Sequence, residues 1–73
     1  MPSIRTIRFD MPPQKIALFK AIIESYDNLI TLRTEDPQTH RLCIYFEAAS
    51  SDDVRAVFDS LIEPFAITGI ENS

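Results

Sequence analysis

Polar and apolar residues alternate along positions 3–9, where Ile7 and Phe9 fall on one side and Ile4, Thr6 and Arg8 on the other. A period of two marks a half-buried strand. From about 13 to 26, Ile16, Phe19, Ile22, Ile23 and Tyr26 recur at helical spacing, which predicts an amphipathic helix. Extended patterns return at 29–34 and 41–47. In the second of these, Leu42, Ile44 and Phe46 point inward and Arg41, Cys43, Tyr45 and Glu47 outward. Val54, Val57, Phe58, Leu61 and Ile62 then make the stripe of a second helix. Residues 65–71 form a last strand, in which Gly69 suits a bulge.

The breaks between these patterns carry their own signals. Pro12 and Pro13 suit the first turn of a helix, where a missing N–H has no partner to lose, and Asp10 is placed to cap it. Asp27-Asn28 ends that helix, since Asn tolerates the left-handed conformation common at helix C-termini. The polar segment 35–40 holds an Asp36-Pro37 turn signal, so the strands beside it pair as an antiparallel hairpin. Ser50-Ser51-Asp52-Asp53 opens the second helix with a serine cap and with negative charge at the favourable end of the dipole. Pro64 disfavours helix at Glu63 and stops it there.

Strand, helix, strand, strand, helix, strand uses nearly all 73 residues, 1–73 as one domain. Right-handed crossovers turn that order into a ferredoxin-like βαββαβ sandwich, an α+β fold with sheet order 4-1-3-2 and both helices on one face. Phe9, Ile16, Phe19, Ile44, Phe46, Val57, Phe58 and Leu61 are the expected core. The other face of the sheet is left open, carrying Ile4, Thr6 and Arg8, then Thr31 and Arg33, then Arg41, Cys43, Tyr45 and Glu47, with Ala66, Thr68 and Ile70 from the last strand. This architecture hosts many unrelated functions, so function has to be argued from side chains.

Composition narrows the field. The net charge is −4 and the pI about 4.7, which argues against nucleic acid or an anionic membrane surface as partner. No apolar run is long enough to span a bilayer, and the start of the chain lacks an apolar signal core. With one free cysteine as well, a cytoplasmic protein is expected. A core of this size rarely yields more than about 3–5 kcal/mol without a staple. A single Cys and a single His provide neither a disulfide nor a zinc site. Self-association is then the expected device.

Candidate chemistry is sparse. His40 and Cys43 sit three apart across a loop-to-strand junction, too few for a metal shell and on opposite faces for a nucleophile–base pair. Asp52, Asp53, Asp59 and Glu63 make helix two acidic, as a solvated face does. RNA recognition on such a sheet needs stacked aromatics on its central strands, and strand one has none exposed. The turn 9–14 leads into a helix N-terminus, but its two prolines remove two N–H donors and it has no glycine to admit a ligand. No catalytic residue, metal or cofactor is called for, and the chain is expected not to be an enzyme.

The stretch 16–34, centred on Ala21-Ile22-Ile23-Glu24-Ser25-Tyr26-Asp27-Asn28-Leu29 and followed by Arg33-Thr34-Glu35-Asp36, resembles a family of short bacterial proteins known as domain of unknown function 4911. Membership implies a ferredoxin-like fold and no assigned activity. More distantly, Asp10-Met11-Pro12 and Asn28-Leu29 resemble the turn and strand start of ACT-type regulatory domains. That resemblance implies a dimerising architecture, and a small-ligand site near Asp10, Met11 and Asn28. Pro13 stands where that family has the glycine that helps admit an amino acid. The expectation is a small non-catalytic binding or regulatory module acting through homodimerisation or association with another protein. Ile4, Arg8, Arg33, Arg41 and Tyr45 are its candidate interface; the alternative is ACT-like sensing of an amino acid.

Overall fold

A computed structural model describes residues 3–72. Its elements are β1 (Ile4–Asp10), α1 (Ile16–Glu24, entered through a 3-10 turn at Pro13–Lys15), β2 (Thr31–Asp36), β3 (Arg41–Glu47), α2 (Ser51–Ile62, entered through a 3-10 turn at Ala48–Ser50) and β4 (Thr68–Asn72). The sheet order is β2-β3-β1-β4, the expected order read from the opposite edge, and every pairing is antiparallel. No helix among the described residues is long and apolar enough to cross a membrane.

Phe9 explains why both helices share one face. Its ring meets Phe19 of α1 at 5.5 Å and Phe58 of α2 at 5.1 Å, both edge-on. One side chain touching both helices places them on the same side of β1. Phe19 continues the chain of rings to Phe65 at 5.4 Å. Such edge-on pairs add about 0.5–1.5 kcal/mol each beyond their buried area. Ile7, Leu42, Ile44 and Phe46 from the same sheet face join Ile23, Val54 and Phe58 in one buried cluster, and Ile16, Ile22, Tyr26, Val57 and Leu61 pack against it.

Several boundaries fall elsewhere than the sequence suggests. Asp10 caps nothing: β1 runs through it, and no side chain caps the turn at Pro13. Ser50 likewise makes no cap hydrogen bond at α2. Helix α1 stops at Glu24, yet Asn28 is not left-handed; among the described non-glycine residues only His40 and Ala66 are. The Tyr26 carbonyl accepts from both Leu29 N–H (2.8 Å) and Ile30 N–H (2.9 Å). Those bonds hold Leu29 and Ile30 in the turn and delay β2 to Thr31.

The exit from α2 differs most. Helix α2 ends at Ile62, where Pro64 predicts, but the helical path carries on through the turn: Glu63 keeps φ −69° and ψ −51°, and Phe65 N–H still reaches the Leu61 carbonyl at 3.1 Å. The chain turns at Ala66, φ +51°. Ala66 N–H donates to the Glu63 carbonyl (3.2 Å) and Ile67 N–H to the Ile62 carbonyl (2.9 Å). This is the paired bonding of a Schellman motif. It swings Phe65 and Ile67 into the core, so β4 begins only at Thr68.

Two outcomes follow. Phe9→Ala should cost about 3–5 kcal/mol, the whole margin of a domain this small, and circular dichroism should show no cooperative melt; an unchanged transition would contradict the assignment of Phe9 as the hub. Ala66→Gly should gain about 0.5–1 kcal/mol, because it removes the left-handed strain at a position glycine adopts freely. A lower urea midpoint for that variant would contradict the turn described.

Candidate functional site

The open sheet face carries the chain's organised polar chemistry. Register puts Arg8 opposite Cys43, and Arg33 opposite Cys43 from the other side. Each edge strand carries one irregularity, and each serves an arginine on this face. On β2 the register steps between Thr34 and Asp36, which leaves Glu35 unpaired as a bulge. A bulge re-aims a side chain. Here both carboxylate oxygens of Glu35 accept from Arg8 Nε at 3.0 Å, across the intervening strand β3. That hydrogen bond, with the Coulomb attraction of Glu35 behind it, raises the Arg8 guanidinium above its ordinary value.

The second irregularity lies on β4. Arg8 pairs with Glu71 and Asp10 with Thr68, so β4 fits two residues where β1 has one. Gly69 takes φ +61° there. A Cβ at Gly69 would meet Asp10 Oδ2 and push it from its place beside Arg41, while the left-handed backbone itself favours glycine. Arg41 uses the opening: its Nη1 donates to Asp10 Oδ2 at 2.8 Å, and its Nη2 to the Gly69 carbonyl at 3.2 Å and to Glu71 Oε1 at 3.1 Å. One side chain thus ties β3 to β1 and β4. Partly exposed pairs of this kind contribute about 0–1 kcal/mol each; what the network fixes is the shape of the face. The bulge also reverses one expectation: Glu71, not Ile70, stands opposite Arg8 on the outer face.

Cys43 lies on this outer face, as its place in the alternation predicts, yet only 1 % of it is exposed. The Arg8–Glu35 pair, which spans β3, and Tyr45 lie beside it. Burial is the main cause that raises its thiol above the ordinary value; a hydrogen bond with Tyr45 works the other way and loses. The same interaction with Cys43 raises the Tyr45 hydroxyl. Arg33 stands 5.9 Å from the centre of the Tyr45 ring, within cation–π range. Ile4, 60 % exposed, completes the patch.

The five residues expected at an interface therefore share one face: Ile4 at its margin, Tyr45 with Arg33, Arg8 with Glu35, and Arg41 at the β4 bulge. The three expected around a ligand do not come together. Met11 is 6 % exposed and belongs to the core. Asp10 is held by Arg41 at the end of β1. Asn28 lies at the other end of the sheet, where a cleft of about 200 Å³ is lined by Ile4, Asn28, Leu29, Thr31, Tyr45 and Glu47, among others. His40 is exposed in the hairpin turn, and among the described residues no three His, Cys, Asp or Glu side chains converge to hold a metal ion.

Sequence reasoning missed Glu35 and Glu71. Glu35 looks like loop because Asp36-Pro37 follows it, although it keeps the strand parity of Arg33. Glu71 depends on the bulge, which shifts the parity of everything after Gly69.

The family described as Domain of unknown function (DUF4911) matches residues 9–63, three quarters of the chain, and the protein belongs to that family. No curated protein and no solved structure matches it.

Native Cys43 should resist alkylation. Iodoacetamide labelling followed by mass spectrometry is expected to be slow in the folded protein and fast in urea, because burial raises the thiol and blocks access. A thiol raised by folding gives its full stability contribution below its unfolded value, and loses it as pH climbs through the higher folded value. Stability should therefore be flat from neutral pH up to the ordinary thiol range and fall above it. Equal labelling rates in the folded and unfolded states would contradict the covered position.

Proposed function

We propose that this domain is a non-catalytic association module that pairs with a second copy of itself through the open sheet face, and that any regulatory role runs through that pairing. One observation carries the reading: the uncovered face is pre-ordered by internally satisfied ion pairs while leaving Ile4 bare and Tyr45 half-buried at its margin. Charges already paired lose less on leaving water than lone charges do.

Two further considerations favour a second copy over an unlike partner. The face mixes Arg8, Arg33 and Arg41 with Asp10, Glu35, Glu47 and Glu71, so it selects neither an acidic nor a basic partner, whereas a two-fold contact sets such a surface against its own complement. Its size also fits. Principal extents of 36 × 20 × 17 Å make the broad side on the order of 700 Å², close to the roughly 800 Å² per partner of a standard interface. The Asn28 cleft, about 200 Å³, falls below the roughly 300 Å³ at which small-molecule pockets begin, which weighs against amino-acid sensing.

Sedimentation equilibrium at tens of micromolar should give twice the 8.3 kDa chain mass, and Ile4→Glu should return a monomer with an unchanged circular dichroism spectrum. A wild-type protein that stays at 8.3 kDa throughout that range would overturn the proposal.

A further inference from the structure

A second cleft, of about 170 Å³, opens on the other side of the sheet and is lined by Arg5, Thr6, Phe46, Ser51, Arg55 and Asn72. Register sets its orientation. Arg5 pairs opposite Phe46 and Asn72 opposite Ile7, and Phe46 and Ile7 both face the helices. Arg5 and Asn72 therefore point to the helical side, where the first turns of α2 bring Ser51 and Arg55. The cleft is thus separate from the open face that carries Arg8, Arg33 and Arg41.

Its two arginines differ from the others in having neither a carboxylate nor an aromatic partner among the described residues. Arg8 has Glu35, Arg41 has Asp10 and Glu71, and Arg33 lies over Tyr45. Arg5 and Arg55 form no ion pair among the described residues, in a chain with eleven carboxylate side chains. Arg55 is the more telling case. Asp52 and Asp59, three and four residues away on α2, are its natural helical partners. Its guanidinium instead turns to the sheet edge and donates to Asn72 Oδ1 at 2.9 Å. No acidic residue lines the cleft, so Arg5, Arg55, Ser51 and Asn72 meet at one small opening with no carboxylate among its lining residues.

We propose that this cleft binds a phosphate-type oxyanion through Arg5 and Arg55, with Ser51 as an additional donor. Guanidinium presents paired N–H donors in a planar fork that matches a tetrahedral oxyanion two bonds at a time. Two forks suit a dianion better than a single carboxylate. The volume admits one such group and no larger cofactor. Asp52 and Asp53 at the start of α2 oppose an anion and do not line the cleft, so the guanidiniums carry the binding rather than the helix end. The overall charge of −4 makes the site local and weak, at millimolar strength for inorganic phosphate.

The probe is inorganic phosphate, titrated into the ¹⁵N-labelled full chain at constant ionic strength and followed by two-dimensional NMR. Saturable shifts are expected at the amides of Ser51, Arg55 and Asn72, with acetate at equal charge concentration giving shifts at least severalfold smaller. Arg5→Gln and Arg55→Gln should each weaken binding about tenfold, and Arg55→Lys should fall between, keeping charge but losing the fork. Spectral dispersion matching wild type verifies that each variant is folded. Non-saturating shifts, shifts reproduced by chloride, or wild-type affinity in the folded Arg5→Gln/Arg55→Gln double variant would each overturn the proposal. Because none of these readouts needs a dimer, they stand apart from the self-association test.

Discussion

The fold depends on Phe9 meeting both helices. Its ring lies against Phe19 on one side and Phe58 on the other, which commits one sheet face to the core. The consequence for the opposite face is direct. With only two helices among the described residues, both on the other side, no helix or strand packs over Arg8, Arg33 and Tyr45. A small domain that has spent all its helices on one side has to stabilise the other by side chains alone or by a partner.

The open face is organised from its edges inward. Both bulges sit on edge strands, and each turns toward an arginine that belongs to a central strand: Glu35 on β2 toward Arg8 on β1, and the Gly69 carbonyl with Glu71 on β4 toward Arg41 on β3. Bulges at edges also hinder strand-to-strand aggregation. The same irregularities thus discourage pairing through the edges and order the side chains of the open face. Cys43 is a by-product of this order: an outward position made dry beside the ion pair that spans β3.

What the sequence made legible follows the range of the interactions. Strand alternation and helical stripes are local, and they identified Phe9, Phe19, Ile44, Phe46 and Phe58, all buried, and Ile16, Val57 and Leu61 packed against them. The sheet order and the one-sided helices followed from element order. Gly69 was readable as a bulge because glycine there serves a left-handed backbone. The bulge at Glu35 was not, because nothing local marks it; it exists where Arg8, 27 residues away, reaches across β3. Pro64 marked the end of α2 at Ile62, but not the helical backbone that Glu63 keeps. The Schellman turn at Ala66 and the burial of Phe65 and Ile67 outweigh the local preference of a residue before proline. Arg5 and Arg55 were unremarkable in sequence, since their convergence needs the register of β1 and the placement of α2.

The central claim is that the uncovered face is where one copy meets another, and the most direct measurement locates that contact. In a mixed sample of isotope-labelled and unlabelled protein, isotope-filtered NOE spectra report only contacts between copies. The account predicts cross-copy NOEs from the Ile4 methyls and the Tyr45 ring. Cross-copy contacts centred on Leu18, the exposed large apolar residue of α1 at 62 %, or running along β2 or β4, or no cross-copy contacts at millimolar protein, would contradict it.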